Sequence, residues 1–125
     1  MARTAVAYSN LVPNGSLADT AATAVPTNAG AGNGHSIAKA EPEETVLRIV
    51  AGATGGNVTI KAGPNPPAAA GSLGDLVVPV ANGATQWIGP LESGRFIQSD
   101  GSMLVDIAAG FVAGSITAFR VPRTA

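Results

Sequence analysis

The 125-residue sequence contains no cysteine and has few charged or aromatic residues. The absence of cysteine excludes disulfide bonds and thiolate metal sites. No run of eighteen apolar residues occurs, so the sequence predicts no membrane-spanning helix and no membrane partner. Seven basic residues nearly balance eight acidic ones, giving a net charge of -1. A basic excess of the kind that binds nucleic acid is therefore missing, and no nucleic-acid partner is expected.

Large apolar side chains are also scarce. Apolar residues make up 46% of the sequence, but 24 of them are alanine, and there are only three Phe, one Tyr and one Trp. Each large side chain contributes roughly 1.5–3 kcal/mol when buried, so the core is expected to be lean. Charged residues make up only 12% of the chain, against about 25% in ordinary soluble domains. Together these features favour a surface that is partly covered by other subunits.

The sequence divides near residue 34. Residues 1–34 are rich in Ala, Thr, Gly and Asn, which predicts an extended N-terminal arm. From His35 onward, short apolar runs alternate with turn residues, so we assign residues 35–125 to a β-sandwich domain. Only the leading part of the arm carries large side chains. We expect Arg3, Tyr8, Leu11 and Val12 to be the contacts by which the arm docks.

The domain is predicted to consist of a series of short strands. "GATGG" between the first two strands is interpreted as a hairpin loop, and Asn82-Gly83 suits a two-residue hairpin turn. "GRFIQ" is interpreted as a strand, and Asp100-Gly101 is interpreted as the turn that connects it to the next strand. The pattern predicts an all-β fold, an antiparallel β-sandwich of seven or eight strands with jelly-roll or immunoglobulin-like connections and an extended N-terminal arm. The predicted strands are "ETVLRIVAG", "NVTIKAG", "DLVVPV", "TQWIGPL", "GRFIQ", "MLVDIAA" and "GSITAFRVP".

Alternation along these strands also predicts which side chains form the core. The predicted core residues are Leu47, Ile49, Val58, Ile60, Leu76, Val78, Val80, Ile88, Phe96, Val105, Ile107, Ile116 and Phe119. Trp87 and Ile88 are adjacent, so one of them must point to the outside of its sheet. An exposed tryptophan on a strand is typical of an interface, and we name Trp87 as a candidate contact residue.

Few residues point to catalysis. His35 is the single histidine, and it lies in "GAGNGHS", interpreted as a flexible approach to the first strand that is poorly suited to hold a catalytic triad. Glu92 and Asp106 could form a glycosidase pair only if the fold brings them together. The acidic cluster at 41–44 lacks the spacing of a calcium loop and is interpreted as a solvated loop. The sequence therefore predicts no catalytic residues, no metal, no cofactor and no enzyme.

Three segments carry a resemblance to a known family. "VPVANGATQWIGPL", "RFIQSDGSMLVDI" and the closing "GSITAFRVPR" resemble small head decoration (cement) proteins of tailed bacteriophages. The shared pattern is a glycine-containing turn, a strand ending in "IGP", an aromatic residue, a Gln, a "DG" turn and an alternating strand. "ETVLRIVAGATGGNVTIKAG" is similar to the first hairpin of that family. The resemblance covers roughly residues 35–122.

The resemblance implies a structural protein of the virion, made in the host cytoplasm and bound to the outside of the capsid. Its implied partner is the major capsid protein, and its implied oligomeric state is a homotrimer. A carbohydrate-binding or host-adhesion β-sandwich module is the alternative. Such modules display aromatic platforms, and this chain offers only Trp87 and Tyr8.

Overall fold

The fold is known from a computed structural model that describes residues 4–11, 15, 23–24, 34–64, 74–108 and 114–121. These residues form ten short strands, one helical turn, α1 at Ser93–Phe96, and a 3₁₀ turn at Pro42–Glu44. Neither of these helical elements is long or apolar enough to cross a membrane. The strands are β1 (Thr4–Ala5), β2 (Tyr8–Asn10), β3 (Thr23–Ala24), β4 (His35–Ile37), β5 (Thr45–Val50), β6 (Gly56–Ile60), β7 (Leu76–Val80), β8 (Thr85–Ile88), β9 (Met103–Ile107) and β10 (Ser115–Arg120).

The strands form two separate mixed sheets rather than a closed barrel. The first sheet has the order β1-β4-β9-β6-β7. The second has the order β2-β10-β5-β8, and β3 also pairs with β10. The pairings among β3 to β10 are antiparallel, whereas β1 runs parallel to β4 and β2 runs parallel to β10.

One buried cluster joins the two sheets. Alternation along β5 turns Leu47 and Ile49 inward, and the same alternation along β9 buries Val105 and Ile107. The predicted core residues are buried with three exceptions. Leu76 and Val78 are half-buried against the cluster, while Phe119 lies on the opposite face of its sheet. We call the side of each sheet that carries the buried cluster its inner face and the other side its outer face.

The described start of the predicted arm is paired with the domain. Within residues Thr4–Leu11 the chain passes from the edge of the first sheet, at β1, to the edge of the second, at β2. Val6, between these strands, belongs to the buried cluster, and its N–H donates to the Ser36 carbonyl at 2.9 Å. The boundary between an arm at 1–34 and a domain at 35–125 stays a prediction. The first described segment of the predicted arm, Thr4–Leu11, nevertheless contributes to both sheets.

The predicted strand "GRFIQ" is wrong. Ser93–Phe96 forms α1, in which the carbonyl of Glu92 accepts hydrogen bonds from the N–H of Arg95 at 3.2 Å and of Phe96 at 3.3 Å. Phe96 is still buried, and the Arg95 guanidinium lies 4.7 Å from the centre of its ring. A short apolar run does not by itself distinguish a strand from a helical turn.

Both predicted hairpins are also wrong, although a turn is present between β7 and β8. β5 belongs to the second sheet and β6 to the first, and β7 and β8 are divided in the same way. Gly83 adopts the positive φ of +68° that a glycine turn provides, and the Ala84 N–H donates to the Ala81 carbonyl at 3.1 Å. The turn residues therefore mark where the chain reverses. They do not decide whether the next strand pairs with the last one or crosses to the other sheet.

The predicted Asp100-Gly101 turn is present and leads into β9. Gly101 has a φ of +84°, and its N–H donates to the Gln98 carbonyl at 2.9 Å. One carboxylate oxygen of Asp100 accepts from the Ser102 hydroxyl at 2.6 Å and from the Ser102 N–H at 3.0 Å. These two hydrogen bonds hold the pKa of Asp100 below its usual value, and the bond from the Ser102 hydroxyl has the larger effect.

Candidate interaction surface

Trp87 points outward from β8. Because side chains alternate along a strand, its neighbour Ile88 points inward, where it lies opposite Leu47 and is only 4% exposed. Trp87 is 56% exposed and lies opposite Arg48 on the outer face of the second sheet. The prediction that one member of this pair faces outward is confirmed, and the outward residue is the tryptophan.

Phe119 packs beside Trp87 on the same face. Their ring centres are 6.2 Å apart, with an angle of 30° between the ring planes. Phe119 lies opposite Val46 on β5, while Thr117 lies opposite Arg48. We call the set of Val46, Arg48, Trp87, Thr117 and Phe119 the Trp87 face. It spans three strands of one sheet, so the relative positions of its side chains are fixed by backbone pairing.

Arg48 occupies the middle strand of the Trp87 face. Its guanidinium carbon lies 5.4 Å from the centre of the Phe119 ring, which is a cation–π distance. Its Nη2 donates to the hydroxyl of Thr117 at 3.2 Å, and Thr117 is buried. Among the described residues no carboxylate forms an ion pair with Arg48, and its buried Nε–H has no acceptor there. The face therefore combines exposed aromatic surface with a positive charge that those residues do not neutralise.

Tyr8 holds the N-terminal segment to the second sheet. Its hydroxyl accepts from the Glu41 N–H at 3.0 Å and lies 2.6 Å from the Thr45 hydroxyl oxygen. The Thr45 hydroxyl donates its one hydrogen to the Glu41 carbonyl at 2.7 Å, so Tyr8 is the donor of the bond to Thr45. The guanidinium of Arg120 stacks 4.1 Å from the centre of the Tyr8 ring and forms an ion pair with Glu41 at 3.4 Å. Tyr8 is thus committed to contacts within the chain.

The other predicted contact residues have varied positions. Leu11 is 37% exposed and follows directly after β2, while Arg3 and Val12 lie outside the described residues. Tyr8 lies opposite buried Ala118, so it is on the inner face of the sheet whose outer face carries Trp87. The structure therefore does not bring Tyr8 and Trp87 together. Whether these residues contact a partner stays a prediction.

Sequence reasoning missed Arg48 and Phe119 as parts of a surface. A signal was present for Phe119, since it lies three positions after Ile116. Residues an odd number apart on a strand point to opposite faces, so these two cannot both be in the core. Alternation also places Arg48 on the outer face, between inward Leu47 and Ile49, but its neighbours Trp87 and Phe119 come from strands that are distant in the sequence.

The outer face of the first sheet carries a second feature, an open depression with a volume of about 360 Å³. Within it Lys61 Nζ and Asp75 Oδ2 form an ion pair at 2.8 Å. The Ala62 N–H donates to the other oxygen of Asp75 at 2.6 Å. This backbone hydrogen bond, followed by the bond from Lys61, holds the pKa of Asp75 below its usual value. The lining residues are Asn57, Thr59, Lys61, Asp75, Val77, Asp106, Ile107 and Ala108.

The residues considered for catalysis lie in different surroundings. His35 is wholly buried in β4 opposite Val105, so the prediction of a flexible approach is wrong at this residue. Asp106 is buried and lines the depression, whereas Glu92 is exposed and is not among its lining residues. Within the described part of the chain, no three His, Asp or Glu side chains are placed to hold a metal ion.

Comparison with known proteins gives no relative for this chain. No protein-family model, no curated protein and no solved structure matches it. Function is therefore inferred from the chain's own sequence and from the geometry of the Trp87 face.

Proposed function

We propose that this protein is a structural decoration, or cement, protein that binds the outside of a tailed-phage head and stabilises the shell. The observation that carries the proposal is the Trp87 face, where an exposed tryptophan stacks on Phe119 beside an arginine. Tryptophan and arginine are the residues most enriched among those that dominate protein–protein binding energy. The resemblance to head decoration proteins, carried by 78–91, 95–107 and 114–123, supplies the partner class. We place the protein in the virion and propose no enzymatic activity.

The proposed fold is a β-sandwich with jelly-roll or immunoglobulin-like connections. Two sheets that share one buried cluster support it. A rigid sheet suits this role because it presents several side chains at fixed spacing without an ordering cost on binding. In this arrangement each copy binds the major capsid protein, and copies associate as trimers that bridge neighbouring shell subunits. Simultaneous contacts make the assembly much harder to dissociate than any single contact.

The experiment is a binding assay on heads assembled without this chain. Purified protein is mixed with these heads and sedimented, and the bound copies are counted per shell subunit. The proposal predicts saturable binding in a fixed ratio to the shell subunit. Heads that sediment without the protein at any concentration would contradict it.

A carbohydrate-binding role is the second candidate, and the stacked Trp87 and Phe119 rings are the observation that favours it. Sugar rings pack on exposed aromatic rings, and Arg48 could donate hydrogen bonds to their hydroxyl groups. Trp87 is the one tryptophan in the chain, so its fluorescence reports on this surface alone. A glycan that shifts this fluorescence saturably, in a protein that does not bind heads, would favour the second candidate over the first.

A further inference from the structure

We propose that Arg48 is the docking point for a carboxylate side chain of the shell subunit, and that Trp87 and Phe119 form the apolar rim around this ion pair. This inference rests on the proposed function and names the chemistry of the partner. It predicts an Asp or Glu beside an apolar side chain on the shell surface that this protein covers.

The position of Arg48 is set before any partner arrives. Its guanidinium lies 5.4 Å from the Phe119 ring centre, and its Nη2 donates to Thr117 at 3.2 Å. Trp87 lies directly across from it on β8. A long side chain held in this way has already lost much of its rotamer freedom, so pairing with a carboxylate costs less entropy than at a mobile surface arginine.

Arg48 differs from Lys61 and Arg120 in having no carboxylate partner among the described residues. Lys61 forms an ion pair with Asp75, and Arg120 forms one with Glu41. The guanidinium of Arg95 donates from Nε to the Gly74 carbonyl at 3.0 Å. Arg48 has five N–H donors, yet one neutral hydroxyl is the acceptor it finds among the described residues. A carboxylate can take two parallel hydrogen bonds from such a guanidinium.

The surroundings of Arg48 favour a charged partner over a neutral one. Trp87 and Phe119 flank it, and a docked protein would exclude water from the rest of the face. Because a lower local dielectric strengthens attraction between opposite charges, the ion pair contributes more there than at an open surface. A partner without a carboxylate would leave the guanidinium buried and unpaired, which is unfavourable. The Trp87 face therefore selects for an acidic partner.

The experiment measures binding of three variants to heads assembled without this chain, with Trp87 fluorescence as the signal. Arg48→Gln removes the charge. Arg48→Lys keeps the charge but lacks the planar guanidinium that can donate two parallel hydrogen bonds. Lys39→Gln is the control, which removes one positive charge from an exposed position elsewhere. We expect Arg48→Gln to weaken binding about 10-fold to 100-fold and Arg48→Lys to weaken it less. Lys39→Gln is expected to remain within about twofold of the wild type.

The salt dependence of the unaltered protein gives a measurement that does not depend on how the variants fold. Wild-type affinity is expected to fall between about 0.05 M and about 0.5 M salt, because salt screens the attraction between Arg48 and the carboxylate before the two surfaces meet. Wild-type binding that is unaffected by salt and by Arg48→Gln would overturn the inference while leaving the proposed function intact. Wild-type protein that does not bind heads at all would overturn both.

A second copy of this chain is the other possible source of the carboxylate. Light scattering on concentrated free protein tests it. Self-association that Arg48→Gln abolishes would assign the carboxylate to the second copy and overturn the choice of the shell subunit. Free protein whose mass is unchanged by Arg48→Gln, together with head binding that this substitution weakens, supports the inference.

Discussion

Trp87 and Ile88 are consecutive residues with opposite environments, and each has a different consequence when it is altered. Ile88 is buried against Leu47, so its methyl groups contribute to the free energy of folding. Trp87 has more than half of its surface in solvent, and its ring stacks on Phe119. Stability and binding are therefore separable at neighbouring positions of one strand.

Replacing Trp87 with Ala should leave the fold intact and weaken head binding. We expect a loss of about 1 kcal/mol or less in the free energy of unfolding, since the ring is mostly exposed. Ile88→Ala should cost about 2–5 kcal/mol because it opens a cavity in the core. Urea unfolding followed by circular dichroism measures both values.

The matched control for Trp87→Ala is Val77→Ala. Val77 is 51% exposed but lies on the first sheet, away from the Trp87 face. Val77→Ala should change neither the free energy of unfolding nor head binding by a measurable amount. If the valine and tryptophan substitutions reduce head binding equally, the Trp87 face is not the attachment surface.

The ion pair of Asp75 predicts a pH-dependent contribution to stability. Its pKa is lowered in the folded state by the Ala62 N–H and by Lys61. A carboxylate with a lowered folded-state pKa stabilises the fold above its unfolded pKa of about 3.9, and this contribution is lost as the pH falls through the folded-state pKa. Asp75→Asn should therefore lower the melting temperature at pH 7.

Melting temperatures of the wild type and of Asp75→Asn measured at a series of pH values test this prediction. The difference in melting temperature between wild type and Asp75→Asn should shrink steadily as the pH is lowered below about 4. A difference that is constant across the series would show that the carboxylate charge is not its cause.

At the scale of elements, alternation within strands could be predicted and pairing between strands could not. The apolar periodicity of 45–50 and 103–107 is local, and the inner and outer residues of β5 and β9 follow from it. Sheet membership depends on contacts between distant segments, such as β10 with both β2 and β5. The turn at Asn82-Gly83 has the same local chemistry whether the chain forms a hairpin or crosses between sheets. The Trp87 face was only partly predictable for this reason, since three separate strands assemble it.

The N-terminal strands should contribute to stability. Tyr8→Phe removes the hydroxyl that links the Glu41 N–H to Thr45 and keeps the ring that stacks on Arg120. We expect it to cost about 1 kcal/mol in the free energy of unfolding. Deleting residues 1–11 should cost more, because it also removes buried Val6 and two strands that extend the sheets. Denaturant titration of the two variants would contradict this if the deletion were as stable as the wild type.

At the scale of the whole molecule, a lean core and a low charge suit a protein that functions on a larger assembly. The sequence has 12% charged residues and 24 alanines, so the free chain is expected to be only moderately stable. Binding to the shell would add stability, because a ligand that binds only the folded state shifts the unfolding equilibrium. By the same linkage, binding of the protein would stabilise the shell.

Calorimetry of heads with and without the protein tests this linkage. Heads saturated with wild-type protein should melt at a higher temperature than bare heads, and heads incubated with Trp87→Ala should melt like bare heads. Equal melting temperatures for bare and saturated heads would contradict a cementing role even if the protein binds.

Cryo-microscopy of the assembled head would show directly whether the Trp87 face attaches this protein to the shell. We expect density for this chain on the outside of the shell, with the outer face of the second sheet against the shell subunits. Trp87 should lie at the contact, and an acidic side chain of the shell should meet Arg48. A head without this density, or with the Trp87 face turned toward solvent, would contradict attachment through the Trp87 face.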